Sequence, residues 1–138
     1  MSTARRLGLG QLLLLALVLT GCQQRPTTLN PVAGKVAYNG ALLKGGLIVF
    51  TPDSSRGESG KIASAKINKD GAYTLLTGDM AGATAGWYRV TVASLQDNAD
   101  PRSIPASALP DKYLDPTTSM LNCEVKPNRS NQLDFNLD

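Results

Sequence analysis

Histidine is missing from this 138-residue chain. Its absence removes the Ser-His-Asp and Cys-His pairs that activate nucleophiles, and it removes histidine-based zinc sites. Cysteine is nearly as scarce, with only Cys22 and Cys123. No run of like charges follows the N-terminal segment, so the clustered basic face of a nucleic-acid binder is absent. No apolar stretch approaches the roughly 20 residues needed to cross a hydrocarbon core. No helical period follows the first 21 residues, and parallel α/β architectures are excluded because no crossover helix is available. Lys44-Gly45-Gly46 and the small-residue stretch from Gly78 to Gly86 are too loose for a phosphate cradle, which needs a glycine-rich turn opening a helix.

What is present begins with Arg5 and Arg6, an apolar run from Leu12 to Leu19, and Leu19-Thr20-Gly21-Cys22. These are the n-region, h-region and small-residue cleavage site of a secretory signal. The last four residues resemble the lipobox of bacterial lipoproteins, whose cysteine is acylated and becomes the first residue of the mature chain. The resemblance implies lipidation at Cys22, and several acyl chains give stable anchoring where one gives only marginal attachment. An uncleaved anchor and an ordinary secreted protein are the rival readings of this segment. Gln23 follows the cysteine in place of the aspartate typical of inner-membrane retention, which points to the outer membrane. Loss of Arg5 and Arg6 with the signal reduces 14 basic residues to 12 against 11 acidic ones. The mature chain is therefore close to neutral.

The expected organisation is a signal over 1–21, a polar tether over 22–30 and a single domain over 31–138. Val32, Gly34, Val36 and Tyr38 alternate with Ala33, Lys35 and Ala37 in a first strand. Asn39-Gly40 then signals a tight hairpin, because both residues tolerate positive φ. Leu47 to Thr51 is an apolar strand stopped by Pro52, and Ile62 to Ile67 is the next. Lys69-Asp70-Gly71 turns into Ala72 to Leu76. From Trp87 to Ser94, Tyr88, Val90 and Val92 face one way, while Trp87, Arg89 and Thr91 face the other. Leu95 to Ser119 holds four prolines and no sustained period, and reads as a long loop. Leu121 to Lys126 and a strand through Leu133, Phe135 and Leu137 close the chain. Seven short strands at this spacing predict an all-β, seven-stranded antiparallel β-sandwich. Its expected core comprises Val36, Tyr38, Phe50, Tyr73, Leu75, Tyr88, Val90, Cys123 and Phe135.

The segments Val32–Gly40, Gly45–Pro52, Asp70–Leu75 and Gly86–Val92 resemble carboxypeptidase-regulatory-like domains. The ending, Leu109-Pro110-Asp111-Lys112-Tyr113 with Thr118-Ser119-Met120-Leu121, is similar to small lipoproteins of planctomycete-type bacteria. The resemblance covers about 30–138 and implies a transthyretin-like (prealbumin-type) sandwich. It brings no catalytic motif. The missing histidines separate this chain from the transthyretin-like hydroxyisourate hydrolases, whose active site depends on them.

With Cys22 acylated, Cys123 has no partner for an internal disulfide. Its setting, Leu121-Asn122-Cys123-Glu124-Val125, turns it inward on a strand; a redox or metal role is the alternative. Loop carboxylates at Asp53, Glu58, Asp97, Asp100, Asp111 and Asp115 suit turns and solvation better than a catalytic pair. Asn68-Lys69-Asp70-Gly71 and Asp97-Asn98-Ala99-Asp100 offer oxygen ligands without calcium-loop spacing, so no metal or cofactor is expected. The expected role is a membrane-anchored, non-catalytic interaction or structural module of the cell envelope. Arg102, Asp111, Lys112, Tyr113 and Asp115 in the long loop are its candidate contacts with an envelope protein. The alternative is a glycan or small-ligand binder that stacks sugars on Trp87 and Tyr113. The bland reading of that loop is a strand-to-strand crossover pinned by Tyr113 and Leu114.

Overall fold

Period-two alternation places apolar residues on one face of each strand, and burying those faces together requires two layers. A computed structural model, describing residues 27–94 and 109–138, shows this arrangement. In chain order the strands are β1 (Val32–Tyr38), β2 (Ala41–Leu42), β3 (Gly46–Pro52), β4 (Ala63–Ile67), β5 (Ala72–Thr74) and β6 (Leu76–Thr77). They continue with β7 (Met80–Ala81), β8 (Gly86–Ala93), β9 (Leu121–Val125), β10 (Asn131–Gln132) and β11 (Phe135–Leu137). One sheet is centred on β1, which pairs with β2, β5, β10 and β11; the other has the order β7-β6-β4-β3-β8-β9. The fold is an all-β sandwich.

The seven expected strands correspond to seven runs of chain. β5 with β6 is one of them and β10 with β11 another, while β2 and β7 are two-residue additions. The run through β5 and β6 changes sheet at Leu75. Its N–H bonds the Val32 carbonyl of the first sheet, while its carbonyl accepts from Gly82 beside the second. One pairing departs from an all-antiparallel scheme: β1 runs parallel to β10 and β11, in one register from Val32↔Asn131 to Tyr38↔Leu137. The turn after β9 carries the chain across to the other sheet instead of back along its own, so no hairpin constrains the last strand's direction.

Local signals hold where they depend on neighbours alone. Asn39 and Gly40 take φ of 49° and 80°, and the hairpin closes with Tyr38 opposite Ala41. The turn at 68–71 is also present, with Asn68 Oδ1 accepting from the N–H groups of Asp70 and Ala72. The strands it joins nevertheless belong to different sheets. Asn30, the last residue of the expected tether, forms an isolated bridge with Ala83. Asn30 is buried, exchanges backbone hydrogen bonds with Ala83 and accepts from the Asn128 N–H through its side chain. Ile62 is exposed and precedes β4.

Of the expected core residues, all are buried except Tyr38, which packs half-buried against the rest. Phe50 sits at the centre, its ring 5.8 Å from Tyr88, 5.9 Å from Phe135 and 6.2 Å from Tyr73. The opposite parity of β8 sends Trp87, Arg89 and Thr91 to the outer face. There Arg89 lies across from Thr51 of β3 and Asn122 of β9.

Candidate functional site

The most developed polar arrangement on that outer face starts where Pro52 ends β3. Asp53 leaves the strand with extended dihedrals and caps a 3-10 turn over Ser54–Arg56, its carboxylate accepting from the Ser55 N–H. Gly57, in the left-handed region at φ 76°, ends the turn. Asp53 is only 5% exposed, and a carboxylate there requires charged or hydrogen-bonding partners. It has three. The Ser55 hydroxyl donates to Oδ1 at 2.6 Å, Arg89 Nε donates to the same oxygen at 3.0 Å, and Arg56 Nε forms an ion pair with Oδ2 at 3.5 Å. The Ser55 hydroxyl, ahead of Arg89, holds the Asp53 carboxyl below the ordinary value of 3.8 against the opposing effect of burial.

The two guanidinium groups are themselves positioned. Arg89 Nη2 donates to Ser55 Oγ at 3.1 Å. The Arg56 guanidinium lies 4.0 Å over the Trp87 ring, a cation–π arrangement. The main chain at Trp87 is fixed in turn, its backbone N–H donating to Glu58 Oε1 at 3.1 Å. Beside Asp53, Arg56 and Arg89 opens a pocket of about 220 Å³, whose other wall includes Pro116, Met120, Leu121 and Asn122. Met120 has φ 58° and is 84% exposed. An apolar side chain is thus held in water on a backbone conformation uncommon for any residue but glycine.

The residues expected to carry function are placed as follows. Cys22 and Arg102 lie outside the described residues, as do Asp97 and Asp100. Tyr113 requires a correction: it is 2% exposed, on a 3-10 turn over Asp111–Leu114. Its hydroxyl donates to Asp138, and the Asp138 N–H donates back to it at 2.9 Å. It therefore shares no exposed platform with Trp87 and cannot offer its ring to a partner. Trp87 is half-buried, and Arg56 occupies one face of its ring. Asp111 and Lys112 are exposed; Lys112 pairs with Asp138 at 3.1 Å. Asp115 folds its own turn, accepting from the Thr117 N–H and hydroxyl. Leu114 is exposed and does not pin the crossover, whereas Tyr113 does. Cys123 is buried and unpaired.

Sequence reasoning missed the association of Asp53, Arg56 and Arg89. The signal was there in part: Pro-Asp-Ser-Ser-Arg after a strand is capping chemistry, and strand parity put Arg89 outward. What joined them was register, since Asp53 and Arg89 are 36 residues apart. Among the described residues no group of three acidic or cysteine side chains could hold a metal ion, and no buried side-chain polar atom lacks a hydrogen-bond partner. A larger groove of about 580 Å³, lined by Leu47, Lys66, Asn68 and Tyr73 among others, contains no comparable charge cluster. No protein-family model matches this chain, and no curated protein matches it either.

Proposed function

We propose that this chain is a surface-tethered, non-catalytic interaction module of the bacterial cell envelope. In this reading acyl chains on Cys22 hold it to the membrane, and the outer face of β8 and β9 meets a protein partner. The observation that carries the second half is Met120. A left-handed backbone at a non-glycine residue costs of order 1–3 kcal/mol, and here it holds out an apolar side chain that gains almost no burial within the chain. Such a side chain, beside two arginines and a half-buried tryptophan, has the composition of an interface anchor. Sugar stacking is supported less well, because Tyr113 is withdrawn into the core and Trp87 is partly covered.

The test uses the full chain in cells. A photo-crosslinking residue in place of Met120 is expected to give a discrete protein adduct, whereas the same residue at exposed Asn136 on the opposite sheet gives none. Adducts at neither position, or equally at both, would remove the β8–β9 face as the contact surface. Cys22→Ala is expected to move the processed protein to the soluble envelope fraction; full membrane retention would remove the tether.

A further inference from the structure

We infer that the pocket between Arg56, Arg89 and Met120 receives a carboxylate flanked by an apolar side chain, presented by a peptide segment of the partner. This rests on the reading of the β8–β9 face as the contact surface and names what that face recognises. The charge balance is the first argument. Two guanidinium groups share one carboxylate, that of Asp53, and the other residues lining the pocket are uncharged. The lining residues therefore carry one positive charge in excess, which matches a monoanion, and the carboxylates of Glu58 and Asp115 just behind Trp87 and Thr117 weigh further against a dianionic phosphate.

Donor geometry is the second argument. Each guanidinium has five N–H donors in a planar fork. Asp53 and Ser55 engage the Nε and Nη2 sides of Arg89. Arg56 is held with its guanidinium carbon 4.0 Å over the Trp87 ring and its Nε toward Asp53 Oδ2 at 3.5 Å, so Asp53 engages only the Nε side of its fork. Both groups are braced and remain partly open to solvent, at 49% for Arg56 and 34% for Arg89. Planar forks held this way favour a planar carboxylate. The opposite wall favours the same ligand. Pro116, Met120 and Leu121 give an apolar surface within reach of the same ligand. An inorganic anion would leave that surface wet, and a sugar acid would lack a free aromatic platform. An acidic peptide group beside an apolar side chain uses both walls.

The experiment titrates the full chain in detergent with N-acetyl-leucine and with its neutral isostere N-acetyl-leucinamide. It follows the methyl resonance of Met120, with Met80 at the opposite edge of the sheet as internal control. The acid is expected to bind at least about tenfold tighter than the amide, the scale of a charge-assisted hydrogen bond. Arg56→Gln should abolish that preference, and Met120→Ala, followed by the indole resonance of Trp87 in place of the lost methyl, should weaken acid and amide alike. Arg89→Gln should also abolish it, but this variant unbraces Asp53, so the more exposed Arg56 is the deciding position. Equal affinity for acid and amide overturns the proposal, as does a preference that survives Arg56→Gln. Tighter binding of galacturonate or inorganic phosphate than of N-acetyl-leucine assigns the pocket to those anions and overturns the peptide ligand. A Met120 crosslink in cells combined with equal acid and amide affinities would sink this inference alone. An acid preference in vitro with no crosslink would sink the functional reading instead.

Discussion

Phe50 has no exposed surface and meets three other aromatic rings, so it concentrates much of the packing between the two sheets. Truncation to Ala removes those ring contacts and leaves a cavity that neighbours on rigid strands can only partly fill. Phe50→Ala is expected to cost about 3–5 kcal/mol, a large share of the stability of a domain this size. A urea denaturation midpoint close to that of the parent would contradict the central position assigned to this ring. Cys123 illustrates burial acting on chemistry. Desolvation pushes its thiol from 9.0 up to about 12, which suppresses the reactive thiolate at neutral pH. Native protein should therefore resist thiol reagents and label rapidly once unfolded; fast labelling in native buffer would restore the reactive alternative.

Strand β1 is the element on which the first sheet depends, because it is the partner of four others. Near its middle is Gly34, in register with the interruption between β10 and β11. A Cβ there would run into the backbone carbonyl of Leu133 and touch the Tyr73 ring, and the Tyr73 hydroxyl donates to that same carbonyl. Glycine is needed here for close approach. Gly34→Ala should part β1 from the last strand and cost about 1–3 kcal/mol as an overpacking strain. Thermal unfolding checks this, and an unchanged midpoint would mean that the Leu133 carbonyl moves aside freely.

For the whole molecule, the pH profile of stability follows from which groups the fold perturbs. Asp53, Asp115 and Asp138 are depressed below 3.8, chiefly by the hydroxyl groups of Ser55, Thr117 and Tyr113 respectively. A depressed carboxylate contributes fully above its unfolded value, and the contribution disappears as pH falls through the folded one. Solvent screening weakens the two exposed members, Asp115 and Asp138, leaving Asp53 as the principal one. On the alkaline side, burial raises Cys123 from 9.0 to about 12 and also raises Tyr73 and Tyr88 above 10.0. A raised acid contributes below its unfolded value, and that contribution fades as pH climbs toward the folded one. Urea midpoints should form a plateau between about pH 5 and 8, falling below 4 and again above 9. Asp53→Asn should flatten the acid limb; an acid limb identical to the parent's would assign it to other carboxylates.

Much of the fold was legible because its signals are local. Alternation in Val32–Tyr38 and Trp87–Ser94 says which side chains face inward whatever lies opposite, and Asn39-Gly40 specifies its turn through its own dihedral preferences. Proline after Thr51 ends a strand for a covalent reason. The long-range arrangement was not legible in this way. Nothing near Leu75 announces that the strand changes sheet there, and nothing near Phe135 announces a parallel partner in β1. Tyr113 and Trp87 looked alike as aromatic residues near loops. One turns into the core, where its hydroxyl meets Asp138, 25 positions away, and the other stays outside by strand parity. The pocket arises in the same way. Capping chemistry dictated the turn at Asp53, but only the register of β3 against β8 brought Arg89 to it, because register is set by burial of the whole inner face. Local sequence chose the conformations of the strands and turns; contacts between distant segments chose which charges would meet.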